Sequence, residues 1–130
     1  MKRFAQIGLC IALALAAASL AACGSSPKGS VSEKELATIR STTHSVMPGE
    51  KKDAVLAKYK DANVVRLSSS RIGNATIEEW KAEAFHDTDK GRDLCVQFLY
   101  FRNDVLVDTS DTRLDFRNDS AITNRWAGTK

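Results

Sequence analysis

Cysteine, proline and glycine are all scarce in this chain: three, two and seven among 130 residues. Cys10, Cys23 and Cys95 stand far apart, so neither a disulfide scaffold nor a paired-cysteine metal site is written here. The low proline and glycine content excludes a collagen-like chain, and 43% hydrophobic residues exclude a wholly disordered one. An excess of charge is missing too. The formal charge is +3, and it falls to +1 once Lys2 and Arg3 leave with the segment described next. A domain so near neutrality has no bulk electrostatic pull toward nucleic acid or anionic lipid. After residue 22 no apolar run approaches the ~18 residues a membrane helix requires. A glycine-rich phosphate loop, GxSxG and HExxH are all absent, so no motif argues for an enzyme.

What is present begins at the first residue. Lys2 and Arg3, an apolar stretch from Ile7 to Leu20 and small residues after it have the plan of an export signal over 1–22. The segment ends Leu20-Ala21-Ala22-Cys23, the bacterial lipobox: an aliphatic residue, two small ones, then cysteine. Small residues fit a peptidase cleft, and the Cys23 thiol is the one nucleophile placed to take a diacylglycerol. Cleavage is expected between Ala22 and Cys23, with acyl chains on Cys23 as the only prosthetic chemistry. Residues 23–31 form a polar tether, and several acyl chains hold a membrane far better than one. Gly24 and Ser25, with no aspartate beside Cys23, resemble the tethers of lipoproteins sent to the outer membrane, a resemblance that implies its periplasmic face in a double-membraned bacterium.

A single domain is expected over 32–130, weakly defined from about 110. Ser32 and Glu35 form a capping box, with Val31 and Leu36 as its staple, so a helix is predicted over 33–45, ended by Met47-Pro48-Gly49. A shorter helix is predicted over 50–60. Both are too short to stand alone and need a sheet. Ala75 to His86 alternates: Trp80, Ala82 and Ala84 point one way, and Glu79, Lys81 and Glu83 face water. Asp93 to Arg102 alternates likewise, Asn103-Asp104 reads as a tight turn, and Val105–Val107 returns. Asn63–Leu67 is a candidate fourth strand before a loop at Ser68–Ser70. Ser120 is placed to cap a turn of helix reaching Trp126, which either packs back on the domain or docks on a partner. The fold class is α+β: two short N-terminal helices on a three- to four-stranded antiparallel sheet.

That order behind a lipobox resembles the BamE/SmpA/OmlA-type small outer-membrane lipoproteins over roughly residues 46–109. The carriers are Gly49 and Val55, Leu56-Ala57-Lys58-Tyr59, Trp80, and the run from Phe98 to Val107. Lys60-Asp61-Ala62 stands where that family has a Gly-x-Pro break, and Glu50-Lys51 replaces its small polar residue. The resemblance implies an accessory subunit that helps insert or stabilise β-barrel proteins. The layout also resembles β-lactamase-inhibitor-type domains, which bind proteins through an open sheet face.

The chemical candidates are few. Cys95 reads as a small hydrophobe in a strand or as a reactive thiol, with only His44 and His86 to serve as base. Asp87 to Asp93 imitates a calcium loop, but Phe98 occupies the position of the required glutamate. The pairs Glu78/Glu79 and Asp108/Asp111 read as exposed charges rather than a two-carboxylate hydrolase. Asn74 and Asn118 read as turn residues. The expected activity is non-catalytic binding to outer-membrane or periplasmic proteins, with Tyr100, Phe101, Phe116 and Trp126 as candidate contacts. The alternative is a periplasmic inhibitor of a cell-wall or β-lactam-directed enzyme.

Overall fold

The computed structural model describes residues 28–128. The export signal, Ala22, Cys23 and most of the tether lie outside the described residues. Two helices come first, α1 at Glu33–Ser45 and α2 at Lys52–Lys58. Four strands follow, β1 Asn63–Ile72, β2 Ala75–Thr88, β3 Gly91–Arg102 and β4 Val105–Ser110, and α3 closes the chain at Ser120–Ala127. The strands form one antiparallel meander in the order β1-β2-β3-β4. The class is therefore α+β with an open four-stranded sheet and three helices.

Local chemistry explains most of these elements. Ser32 Oγ accepts from Glu35 N at 3.0 Å, and the Glu35 carboxylate accepts from Ser32 N at 3.4 Å, which closes the capping box of α1. Leu36 and Ile39 bury its inner face. The β3–β4 turn needs left-handed backbone at two positions, and Asn103 and Asp104 supply it at φ 50° and 66°. Asn103 also ties the turn to β2, since its Oδ1 accepts from Thr76 N at 3.0 Å. The β1–β2 turn places Gly73 at φ 61°, which a side chain would resist.

Some elements run longer or shorter than the sequence suggested. The second helix is Lys52–Lys58 rather than 50–60, because residues 49–52 clip instead onto the free edge of β4. Gly49 N and Leu106 N bond to Leu106 O and Glu50 O, and Lys52 N bonds to Asp104 O, all at 2.8 Å. The serine run is strand, not loop: Ser68, Ser69 and Ser70 pair with Glu79, Glu78 and Ile77. The tether's last residues are docked as well. Val31 N donates to Phe85 O at 2.8 Å and Asp87 N to Ser30 Oγ at 2.9 Å, so residues 30–31 are fastened beside β2 where β1 has not yet begun.

The sheet carries two cores, one on each face. On the first, Leu36, Ile39, Val55 and Tyr59 from the helices pack on Ala82, Ala84, Cys95, Leu99, Phe101 and Leu106. On the second, Phe116 and Trp126 from the C-terminal segment pack on Ala75, Ile77, Tyr100 and Val107. The helices cover the middle of the first face and leave Arg66, Ser69 and Arg71 of β1 exposed. The C-terminal segment covers only part of the second, and that partial cover positions the site.

Candidate docking surface

Register divides the second face. Ser68 pairs with Glu79, Glu79 with Tyr100 and Tyr100 with Asp108, so four polar residues form one row across all four strands. A bulge sits at each flank of this row, between Arg66 and Ser68 in β1 and between Tyr100 and Phe101 against β4. The extra residues, Leu67 and Val107, shift the side-chain phase there and sharpen the local twist.

The row is where the C-terminal segment is fastened. Glu79, with its side chain 1% exposed, accepts from Arg113 Nη2 at 2.8 Å and Nε at 3.1 Å, and from Tyr100 Oη at 3.0 Å. Tyr100 Oη accepts in turn from Leu114 N at 2.7 Å. Burial of the Tyr100 hydroxyl pushes its pKa up, and the adjacent Glu79 carboxylate adds to the rise. Asp108 Oδ2 accepts from Trp126 Nε1 at 2.9 Å and Arg125 Nη2 at 2.8 Å. Inside this border Trp126 stacks on Tyr100 at 5.1 Å between centroids, with Phe116 at 5.6–5.7 Å from both. Each such pair contributes ~0.5–1.5 kcal/mol beyond its buried area.

Beyond the border the same face is uncovered among the described residues. Its rows are Val65–Lys81–Phe98, then Asn63–Glu83–Val96, then Phe85–Leu94. Val65 is 52% exposed and Leu94 53%. Two polar contacts lie over this half. Arg92 sits 3.9 Å above the Phe85 ring while bonding Asp87 at 2.8 Å, and Lys81 pairs with Glu83 at 3.3 Å. Among the described residues no layer covers this half, which leaves Val65 and Leu94 as its exposed apolar side chains.

The four proposed contact residues are corrected by this arrangement. Tyr100 and Phe101 are 0% exposed, Trp126 1% and Phe116 2%. They are core, because the C-terminal segment folds back over one half of the sheet and α1 and α2 cover Phe101 from the other side. The apolar residues of the uncovered half, exposed Val65 and Leu94 with half-buried Phe85 and Val96, were not singled out from the sequence. Their signal was in the alternation, in that Leu94, Val96 and Phe98 share a face of β3 with Tyr100.

Glu78 and Glu79 are likewise not exposed charges. They point to opposite faces, and both are buried. Glu78 accepts from Lys52 Nζ at 2.8 Å and Trp80 Nε1 at 3.2 Å under the start of α2. Lys52 also reaches Asp104 at 2.7 Å, and these two bonds raise the lysine pKa while holding Asp104 below the usual carboxylate range. Both glutamates are thus structural, and neither faces a cleft.

Cys95 lies under the helices on the first face, where burial raises its thiol pKa against a smaller opposing effect of Arg40. His86 Nδ1 is 2.8 Å from Val31 O, which fixes the ring to the docked tether. The Asp87–Asp93 segment is the tip of the β2–β3 hairpin, closed by the Asp87–Arg92 pair. Among the described residues no group of three or more His, Cys, Asp or Glu side chains is placed to hold a metal. An open groove of about 370 Å³ at the opposite end, between β1 and the C-terminal segment, is lined by Ser70, Arg71, Phe116 and Arg117. Comparison with family models, curated proteins and solved structures yields no match.

Proposed function

We propose that this chain is a lipid-anchored bacterial envelope protein, held at the periplasmic face of the outer membrane through acyl chains on Cys23. It acts there as a non-catalytic binding and assembly module of the BamE/SmpA/OmlA type. Its partners are outer-membrane or periplasmic proteins, and nucleic acid and cofactors have no part in it. The observation that carries this reading is that the described chain starts five residues after Cys23 already docked on the domain, at Phe85 and Asn63, so an anchored domain is held close to the membrane. An acyl anchor confines the domain to a thin layer and so raises its effective concentration beside membrane partners. A preformed surface then makes contact with partners at little ordering cost.

Tagged, lipidated protein drawn from outer membrane in mild detergent is expected to bring barrel-assembly subunits with it, and the Cys23→Ser form is not. The open sheet half also favours a second reading, a periplasmic inhibitor domain. Recovery of a soluble hydrolase by both forms, with its rate depressed, would support that reading and contradict the first.

A further inference from the structure

The open half-face and the tether meet at one end of the domain, and their meeting identifies what covers the face. Val31 is bonded to Phe85, itself a member of the open half. Asn63 Nδ2 donates to Lys28 O at 3.0 Å, two residues before the exposed Val65. The described chain therefore begins at the margin of the exposed apolar surface. From Lys28 back to Cys23 is five residue steps, which span at most about 18 Å even when fully extended. The ten residues of β1 carry the capped half and the Arg71–Arg117 groove about 30 Å further along. Any acyl group on Cys23 thus keeps the margin of the open half within about 18 Å of the membrane, with the capped end free to stand about 30 Å further off.

We propose that the open half-face, Val65, Phe85, Leu94 and Val96, rests on the membrane interface, so that the bilayer covers it. This rests on the reading of Cys23 as the anchor. A leash this short keeps that margin within reach of the headgroup layer, and the bilayer is the surface it holds there. The charges nearby do not drive the contact. Lys28, Lys60, Lys90 and Arg92 are matched by Asp61, Asp87, Asp89 and Asp93, four against four. The contact is therefore apolar, and it is insensitive to salt and to anionic lipid. Arg92 over Phe85 and Lys81 beside Glu83 keep their charges at the level of the headgroups while their stems lie along the sheet. The consequence is orientation: the domain lies with its β2–β3 tip on the membrane and presents the far groove to the periplasm.

The test uses the lipidated full-length protein in vesicles of phosphatidylethanolamine and phosphatidylglycerol, with Cys95→Ala and a single environment-sensitive fluorophore on Leu94→Cys or, at the far end, on Arg117→Cys. Flotation with the vesicles reports the anchor separately. The expected result is a position-94 probe shielded at least fivefold from iodide and quenched by a shallow spin-labelled lipid. The position-117 probe remains open to iodide. The position-94 shielding persists in phosphatidylcholine alone and in high salt. Equal iodide access at both positions in protein that floats would overturn the membrane contact and leave the anchor standing. Shielding at position 94 that appears only after envelope extract is added, without spin-label quenching, would also overturn it, in favour of a protein cover. Failure to float would overturn the anchor reading and this inference together.

Discussion

The two halves of the second sheet face are built from the same strands and end differently. On one side of the Ser68–Glu79–Tyr100–Asp108 row, aromatic rings from the C-terminal segment seal the sheet until Trp126 is 1% exposed. On the other side Leu94, on the same strand and the same face as Tyr100, stays 53% exposed. Hydrophobicity alone does not separate the halves, since both carry valine, leucine or phenylalanine. What separates them is the polar row, which gives the returning segment a line of fixed acceptors through Arg113, Leu114, Arg125 and Trp126. Buried carboxylates are costly unless paired, so the row is satisfied only when the segment lies on it. The chain thereby covers one half and leaves the other as a surface.

The sharpest way to break this comparison is Trp126→Ala. It removes a buried indole and the stacking on Tyr100, and it is expected to cost ~3–5 kcal/mol in urea unfolding. If the domain kept its stability and only a partner contact weakened, the tail would be a docking element instead. Next in size is the border itself. Arg113→Ala leaves the Glu79 carboxylate buried with hydroxyl donors alone and is expected to lower the urea midpoint by less than Trp126→Ala does. A matched pair of tyrosines sharpens the point. Tyr100 Oη bonds both Glu79 and Leu114, so Tyr100→Phe is expected to cost ~1–3 kcal/mol. Among the described residues Tyr59 Oη is buried with no hydrogen-bond partner, so Tyr59→Phe should be neutral or stabilising by up to about 1 kcal/mol. Equal losses at the two positions would mean that the row does not organise the face.

How much of this was legible in the sequence depends on how local the cause was. The α1 capping box, the Asn103-Asp104 turn and the alternation of β3 are set within a few residues, and they read directly. The burial of Glu79 does not, because its partners Tyr100 and Arg113 lie 21 and 34 residues away. A hint existed: Glu79 is in phase with Ala75 and Ile77, so its alternation placed it on an apolar face. The serines of β1 read as loop by composition, yet pairing with Glu78, Glu79 and Ile77 holds them in a strand, as tertiary context often does. Phe116 and Trp126 looked like contact anchors because aromatic residues serve both cores and interfaces. Only the path of residues 113–126 decides which. The exposed half was hidden for the same reason, since an uncovered Leu94 and a covered Tyr100 sit in the same alternating run.

A smaller effect separates the exposed ion pairs from the buried row. Lys58 and the Met47 amide hold the Glu50 carboxyl below its usual range, and Lys52 does the same for Asp104. Depressed folded pKa values stabilise above the unfolded values of 4.5 and 3.8, and that contribution is lost as pH falls through the folded values. Thermal unfolding from pH 7 to 3 should therefore show a modest acid decline that flattens in Lys52→Met. A decline unchanged by that substitution would assign it elsewhere.

The smallest expected change in stability is also the most direct test of the division. Leu94→Glu places a charge on the open half without touching the core, and surface changes of this kind stay within about 0.5 kcal/mol. Urea unfolding and iodide shielding of a probe at Val65→Cys, measured on the same lipidated protein in vesicles, give both readouts. The division predicts wild-type stability with the shielding at position 65 lost. A large drop in stability, or shielding that survives the charge, would contradict it.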